Sequence, residues 1–365
     1  MYQTAVRAAG GVGPYRRSSQ EGNTMLSFAS DYTEGAHPKI LARFAERNLV
    51  TLQGYGSDPD TEEAKRKICA ACGRDDLQIQ FLTGGTQTNL IAVSSMLRSY
   101  EGVVAADTGH VNTHEAGAIE FSGHKVIALP QANGKLAAGT LAGYMERFLG
   151  DEANEHMVRP GMVYISHPTE FGTLYTKAEL TALSETCRKY GLPLYIDGAR
   201  LGYGLMSPES DLTLEDIAEL SDLFYIGGTK VGALCGEALI FTKRNMPPHF
   251  LAVVKQQGAL LAKMRVVSQQ FDALFTDGLY WELGRHAIEL AMRMKRMFVD
   301  KGYPLYMDSP TNQQFFILTR AQLERLQRDV AFSVWEWLDE DHAAVRFCTS
   351  WATTAEQLDA LDKLL

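Results

Sequence analysis

Apolar positions in the chain form short runs that alternate with longer helical patterns from about Leu26 onward. Seven of these runs have the length and composition of β-strands and are separated by helical segments or turns. They are LQIQFLT (77–83), GVVAADTG (102–109), HKVIALP (124–130), GMVYISHP (161–168), LPLYIDGA (192–199), LFYIGGTK (223–230) and EALIFTK (237–243). Strands joined by helical crossovers predict an α/β fold, with a mostly parallel seven-stranded sheet between helices.

The pattern changes after about Pro247. A long helical tract, broken near Asp277 and Gly278, is followed by two strand-like runs and further helices. We therefore expect a large domain at 26–247 and a smaller α+β domain at 248–365. Residues 1–25 are rich in Gly, Ser and Arg. They faintly resemble an organelle transit peptide, but a disordered N-terminal extension is the simpler interpretation.

The amino-acid composition of the chain excludes several classes of function, among them binding to nucleic acid and to membranes. The chain has 365 residues and a formal net charge of −9, which disfavours binding to nucleic acid or acidic membranes. No apolar run approaches the length of a membrane span. Five cysteines, few and odd in number, predict reduced thiols and a cytoplasmic protein. The Cys69-Ala-Ala-Cys72 motif falls at the end of a predicted helix, which favours structural cysteines over a redox pair.

Polar residues directly follow several predicted strands. Gly84-Gly85-Thr86 leads from a strand into a helix, an arrangement that suits a phosphate, although such turns also serve only as helix caps. Asp197 and Arg200 follow a later strand, where a structural ion pair is an equally good interpretation. Lys230 follows the next strand within an otherwise apolar, glycine-rich segment. A phosphate turn, an acid and a lysine, in this order, predict a pyridoxal phosphate (PLP) enzyme.

Several segments carry a resemblance to a known family: ASDYTEGAHP, GYGSDPD, TGGTQTNL, HEAG, IDGARLGYG and VRFCTSW. With them, the chain resembles the threonine aldolase group of the β-eliminating lyases, within the aspartate aminotransferase fold class (fold type I). The resemblance implies PLP-dependent cleavage of threonine or allo-threonine to glycine and acetaldehyde. It also implies a homo-oligomer, a dimer or tetramer, with sites shared across the interface. The alternatives are β-elimination from, or racemisation of, another amino acid.

The resemblance assigns cofactor contacts to particular positions. Lys230 matches the lysine that forms the imine with PLP, and Asp197 matches the partner of the pyridine nitrogen. Gly85 and Thr86 match the phosphate turn, and Thr229 is expected beside the phosphate. The intact Lys230 and Asp197 argue against a non-catalytic relative.

Other matches concern the substrate and a neighbouring subunit. Arg200 matches an arginine that contacts the cofactor and the substrate carboxylate, and Ser30 and Arg346 match further carboxylate contacts. Tyr55 matches a tyrosine near the neighbouring subunit's cofactor. Lys263 or Arg265 is expected to contact a phosphate across the dimer, and the choice between them stays open.

The catalytic base is less clearly marked. His110 matches the histidine that stacks on the cofactor ring, whereas His114, four positions later, is expected to be structural; without a third ligand we expect no metal site. The segment SHPTEFGT replaces a histidine-containing segment of the family, and it places Glu170 near the missing histidine and His167 three positions earlier. His110, Glu170 or a bound water remains the candidate base. The segment VGALCGE after Lys230 also departs from the family.

Overall fold

The computed structural model describes residues 25–365, so nearly all of the predicted N-terminal extension lies outside the described residues. The strands are β1 (Leu26–Ser27), β2 (Gln78–Leu82), β3 (Glu101–Ala106), β4 (Val126–Leu129), β5 (Arg159–Ser166), β6 (Leu194–Asp197), β7 (Leu223–Gly227), β8 (Glu237–Phe241), β9 (Leu305–Met307), β10 (Gln313–Thr319), β11 (Val330–Ala331), β12 (Ser333–Trp337) and β13 (His342–Cys348).

The helices are α1 (Pro38–Arg47), α2 (Pro59–Ala71), α3 (Gly85–Met96), α4 (His110–Thr113), α5 (Ala118–Phe121), α6 (Ala138–Gly150), α7 (Lys177–Tyr190), α8 (Leu201–Leu205), α9 (Leu214–Leu220), α10 (Phe250–Gln256), α11 (Arg265–Leu274), α12 (Leu279–Asp300), α13 (Arg320–Leu326) and α14 (Ala355–Asp362). A short 3₁₀ turn spans Asn154–His156.

A seven-stranded sheet with the order β2-β8-β7-β6-β5-β3-β4 forms the centre of the molecule. All of its strand pairs are parallel except those of β8, which runs antiparallel to both β2 and β7. Each of the seven strand-like runs forms one of these strands, so the predicted sheet is confirmed. Ser166 and Asp197 pair at the adjacent carboxyl ends of β5 and β6. In a parallel sheet this is the edge where ligands bind.

A smaller sheet, β12-β13-β10-β9, is entirely antiparallel and covers its own apolar core. The packing differs from the predicted domain boundaries in two places. Strand β1, at the start of the described chain, pairs with β11 rather than with the central sheet. Val267 and Phe271 of α11 belong to the same core as Ile226 of β7, so this helix packs on the large sheet. Local sequence patterns do not reveal such pairings between distant segments.

Helix α12 joins the two cores. Leu283 near its start packs into the core of the large sheet, and Phe298 near its end packs into the core of the small sheet. The predicted helical tract after Pro247 is also interrupted between Gln256 and Arg265, in addition to the predicted break before α12.

Two further sequence features have direct structural counterparts. Helix α2 ends at Ala71, and Gly73 follows with a φ of +64°. This left-handed conformation is typical of a helix C-terminus. Burial raises the pKa of both Cys69 and Cys72, so neither thiol is activated. No helix within residues 25–365 is both long and apolar enough to cross a membrane.

Candidate active site

A cavity of about 220 Å³ lies at the carboxyl edge of the central sheet. Its wall is formed by Tyr32, Gly85, Thr86, His110, Glu115, Ser166, Pro168, Thr169, Glu170, Asp197, Ala199, Arg200, Tyr225 and Lys230. A second cavity of about 310 Å³ shares Tyr32, His110, Glu170, Arg200 and Lys230 with it, and extends to Trp335 and Arg346 of the small sheet. The structure thus brings seven of the predicted site residues to the first cavity and Arg346 to the adjoining one.

Lys230 lies in the connection between β7 and β8. Its backbone carbonyl accepts a hydrogen bond from Tyr203, whose side chain is fully buried. The ammonium nitrogen lies 5.8 Å from the ring centre of Tyr32, within the range of a cation–π contact. The backbone of Lys230 is therefore held by the hydrogen bond from Tyr203, and its side chain reaches the cavity wall.

Asp197 ends β6 as a buried carboxylate. Its Oδ2 accepts hydrogen bonds from Tyr164 Oη (2.6 Å) and Asn89 Nδ2 (3.0 Å), and Oδ1 accepts one from the backbone of Ala199 (3.0 Å). Burial alone would raise its pKa, but the charge of His110 and the hydrogen bonds of the surrounding side chains outweigh burial and lower it. Asp197 is therefore an ionised acid held in one orientation at the cavity.

Helix α3 begins directly after β2 and points its N-terminus at the cavity. Its N-cap residue, Gly84, provides no side-chain hydrogen bond, so the first amides are not satisfied by a cap. A Cβ atom at Gly85 would lie 3.1 Å from the hydroxyl of Tyr225, so a side chain there would be crowded. With Thr86 also on the wall, this end of the cavity suits a phosphate group.

His110 begins the short helix α4 and lies on the walls of both cavities. Its Nδ1 lies 2.8 Å from Oε1 of Glu115. Because that oxygen also accepts a hydrogen bond from Asn89 at 2.7 Å, Nδ1 is the donor. Burial lowers the pKa of His110, but the hydrogen bond with Glu115 and the charges of nearby carboxylates outweigh burial and raise it.

Glu170 lies on the same side of the cavity. Its Oε1 accepts hydrogen bonds from the backbone N–H of His110 (2.8 Å) and from Ser166 Oγ (2.6 Å). Burial raises the pKa of Glu170, and the hydrogen bond from Ser166 opposes this only in part. His167, by contrast, is fully buried away from the wall, and burial lowers its pKa to about 4. Of these two alternatives, only Glu170 is placed to act in the cavity.

Arg200 reaches the cavity but is already paired. Its Nε and Nη2 donate to the two oxygens of Asp31, at 2.7 Å and 3.0 Å. Asp31 is fully buried and also accepts a hydrogen bond from Asn312 at 2.9 Å. The alternative interpretation, a structural ion pair between Arg200 and Asp197, is not what the structure shows, because Arg200 pairs with Asp31 and Asp197 takes its hydrogen bonds from Tyr164 and Asn89.

Arg346 enters the second cavity from β13. It donates to Gln313 Oε1 at 3.2 Å, and its guanidinium lies 5.5 Å from the ring centre of Trp335. Its Nε and the hydroxyl of Ser30 are both buried, and within residues 25–365 neither atom has a hydrogen-bond partner. Buried polar atoms without partners are rare, and they mark a place where a polar ligand can bind.

Five predicted residues line neither cavity, namely Ser30, Tyr55, Thr229, Lys263 and Arg265. The hydroxyl of Thr229 donates to Glu237 and accepts from Gly236, so it does not reach the cavity wall. Tyr55 is half exposed, and Lys255 lies over its ring at 4.8 Å. Arg265 donates to the carbonyl of Val50 at 2.6 Å. Neither Tyr55, Arg265 nor Lys263 lines the cavity of its own chain.

His114, which was expected to be structural, lies beside the second cavity. Its ring stacks on that of His110, with 5.7 Å between centres, and lies 6.5 Å from the ring of Trp335. It therefore forms part of the wall of the second cavity. Within residues 25–365 no group of three His, Cys, Asp or Glu side chains is arranged to hold a metal ion.

Sequence reasoning missed several residues that contribute to the site, namely Tyr32, Asn89, Glu115, Tyr164, Ser166 and Trp335. Some of them carried a signal that could have been used. Asn89 is a polar residue inside the apolar stretch of α3, and Glu115 follows His110 in the segment HEAG. Tyr32 directly follows the predicted Ser30 and Asp31 motif. Trp335 carried no such signal, because β12 was not predicted.

Comparisons with known proteins agree with this geometry. A low specificity L-threonine aldolase of Pseudomonas sp. (strain NCIMB 10558) is 33% identical over 335 residues, covering 89% of this chain and 93% of that protein. A threonine aldolase structure from Leishmania major matches with a TM-score of 0.90 and 43% identity, covering 93% of this chain and 98% of that one.

More distant matches concern the fold alone. A Thermus thermophilus aspartate aminotransferase matches with a TM-score of 0.65 at 13% identity, covering 93% of this chain and 92% of that one. The predicted fold class is therefore confirmed. The family model described as "Beta-eliminating lyase" matches residues 27–358. By this match, and by its identity with the Pseudomonas enzyme, the chain belongs to the β-eliminating lyase family.

Proposed function

We propose that this protein is a PLP-dependent aldolase that cleaves L-threonine or L-allo-threonine into glycine and acetaldehyde. The observation that carries the proposal is the single cavity on which Lys230, Asp197 and His110 meet. The threonine aldolases among its relatives support this substrate class. The protein is expected to be cytoplasmic and to act as a dimer or tetramer.

The residues present fit PLP. The uncapped N-terminus of α3 with Thr86 would hold the phosphate, and Asp197 would hold the pyridine nitrogen. When bound, PLP supplies an aldehyde for the amine of Lys230 and a ring that accepts the electron pair of a broken bond.

The substrate carboxylate would bind between the small sheet and β1. Arg346 Nε and Ser30 Oγ offer buried hydrogen-bonding atoms that need a partner, and a carboxylate can satisfy both. Arg200, held by Asp31, adds positive charge at the boundary of the two cavities. These contacts would fix the orientation of the Cα–Cβ bond that is to be cleaved.

Cleavage of this bond requires that the β-hydroxyl lose its proton as the aldehyde forms. His110 donates its Nδ1 proton to a hydrogen bond with Glu115. The other ring nitrogen, Nε2, therefore faces away from Glu115 and is free of a proton, so it can act as the proton acceptor. We assign the proton transfer to His110, directly or through a water that it binds. The carboxylate of Glu170, whose negative charge is one of the causes that raise the pKa of His110, would then stabilise the resulting charge on His110.

A product assay with PLP present tests the proposal. Purified protein is expected to take up PLP and release acetaldehyde and glycine from threonine. A Lys230→Ala variant should lose the normal absorbance of the bound cofactor and its turnover. Pyruvate and ammonia from serine, with no acetaldehyde from threonine, would favour β-elimination instead. Protein that never takes up PLP would contradict the proposal altogether.

A further inference from the structure

Gln313 is a fully buried polar side chain on the wall of the second cavity. It begins β10, and the pairing of Phe315 with Arg346 places Gln313 and Arg346 on the same face of the small sheet. Its Oε1 accepts a hydrogen bond from Arg346 Nη1 at 3.2 Å. Gln313 is therefore in direct contact with the arginine that enters this cavity.

This contact fixes the orientation of the Gln313 amide. A guanidinium can only donate hydrogen bonds, so the end of the amide that faces Arg346 must be the carbonyl oxygen. The other end, Nε2, is a donor that is buried and has no hydrogen-bond partner within residues 25–365. A buried donor without an acceptor costs free energy. Nε2 thus indicates the position of a ligand atom that accepts a hydrogen bond.

Two further unpaired atoms come from neighbouring segments, Arg346 Nε of β13 and the hydroxyl of Ser30. Asn312 donates to Asp31 at 2.9 Å. Because these two residues directly adjoin Gln313 and Ser30, their hydrogen bond brings the start of β10 next to the segment after β1. Three segments of the chain therefore meet here, and each provides a buried polar atom that lacks a partner.

The charges around the second cavity favour an anionic ligand. Among the described residues, its wall carries three cations and one acid, namely Arg200, Lys230, Arg346 and Glu170. Oε1 of Glu170 already accepts hydrogen bonds from a backbone N–H and from a serine. A carboxylate is anionic and has enough lone pairs to accept from several donors at once. It can therefore satisfy the donors that the protein leaves unpaired.

We propose that Gln313 is a substrate-binding residue whose Nε2 donates a hydrogen bond to the substrate carboxylate. Its Oε1 at the same time holds the guanidinium of Arg346 in position for that carboxylate. The inference rests on the proposed function in that the substrate is an amino acid. It does not depend on which bond of the substrate is cleaved.

A comparison of two amines provides the first test. Glycine and methylamine are both primary amines that react with bound PLP and change its absorbance, but only glycine has a carboxylate. Gln313→Met keeps the length of the side chain and removes its polar atoms. The dissociation constant of glycine should rise by about 10- to 100-fold, as for the loss of a hydrogen bond to a charged group, and that of methylamine should not change. Gln327→Met, at an exposed position of the same domain, is the matched control and should change neither constant.

A double variant separates a direct contact from an effect through Arg346. In an Arg346→Lys background, a direct contact predicts that Gln313→Met weakens glycine binding further, by at least about threefold. If Gln313 only oriented the guanidinium, its replacement would have no further effect. The proposal is overturned by an unchanged glycine constant in Gln313→Met, by an equal loss for methylamine, or by no further loss in the double variant.

A second test uses the cofactor-free protein. A carboxylate that binds only the folded protein raises its unfolding temperature. Sodium acetate, compared with sodium chloride at the same ionic strength, should raise this temperature more in the wild type and in Gln327→Met than in Gln313→Met. An equal gain in all three proteins would mean that Gln313 does not contact a carboxylate.

These measurements distinguish a failure of the inference from a failure of the proposed function. If the protein takes up PLP but releases no acetaldehyde from threonine, the proposed function is wrong, and the glycine titration still decides the role of Gln313. If the protein takes up no PLP, the acetate comparison decides it.

Discussion

The guanidinium of Arg200 is bound to Asp31 through two parallel hydrogen bonds in the interior of the protein. Asp31 is fully buried, which alone would raise its pKa, but the charge and hydrogen bonds of Arg200, together with Lys230 and Asn312, outweigh burial and lower it. The pair joins the segment after β1 to the segment after β6. An arginine predicted from sequence to bind the substrate thus also holds two distant segments together.

We expect Asp31→Asn to be strongly destabilising, because it leaves the charge of Arg200 buried without a counter-charge. The free energy of unfolding of the cofactor-free protein should fall by about 3–5 kcal/mol at neutral pH. Chemical denaturation measures it. Asp359→Asn breaks the ion pair of Asp359 with Arg293 at the surface and should cost at most about 1 kcal/mol. Equal losses in the two variants would show that the Asp31 pair has no special role.

Arg346→Lys should weaken substrate binding more than it slows turnover. The lysine keeps the charge but loses the planar group whose Nε is buried without a partner. Loss of one charged hydrogen bond predicts a KM for threonine raised by about 10- to 100-fold, with kcat changed less. Arg296→Lys, at an exposed position of α12, is the control. A KM that stays at the wild-type value would remove Arg346 from the carboxylate site.

Glu115→Gln should move the pH profile of the reaction. The carboxylate is one of the causes that raise the pKa of His110, so a neutral amide should lower that pKa. If neutral His110 accepts the proton, activity rises with pH through this pKa. The acid limb of kcat should then shift to lower pH by about one unit, measured by acetaldehyde release. A fall in kcat with an unmoved acid limb would instead indicate a purely structural role for Glu115.

Tyr55 and Arg265 lie outside the cavity of their own chain, so any contact with a cofactor must be made in a neighbouring subunit. Two inactive variants, Tyr55→Ala and Lys230→Ala, test this when they are unfolded and refolded together. In a mixed dimer, one of the two sites has both wild-type residues. Random mixing should therefore restore about a quarter of the wild-type activity. Arg265→Ala can replace Tyr55→Ala in a second mixture.

Mixtures of Asp197→Ala with Lys230→Ala serve as the control, because both residues belong to the same chain's site. They should stay inactive whatever the oligomer. Activity in this control would mean that the recovery does not come from residues contributed across the subunit interface. No recovery in the Tyr55 mixture would contradict a role for that tyrosine at a neighbouring subunit's site.

The sequence predicted the residues that a single local pattern can reveal. Lys230 and Asp197 each follow an apolar strand, so their place at the sheet edge followed from the strand prediction. The partner of Arg200 could not be found in this way, because Asp31 lies 169 positions earlier and meets it only in the folded chain. Asn89, which joins Asp197 to Glu115, likewise depends on how α3 packs against the sheet.

The pairing of β1 with β11 has a consequence for biosynthesis. Leu26 pairs with Val330, which the ribosome adds about 300 residues later. The large sheet can form from the earlier part of the nascent chain. Strand β1, which precedes Ser30 and Asp31, cannot pair until β11 emerges near the end of translation. Contacts of such long sequence separation form slowly. The side of the cavity proposed to bind the substrate carboxylate should therefore be the last part of the enzyme to be completed, and a stalled or truncated chain would retain Lys230 without it.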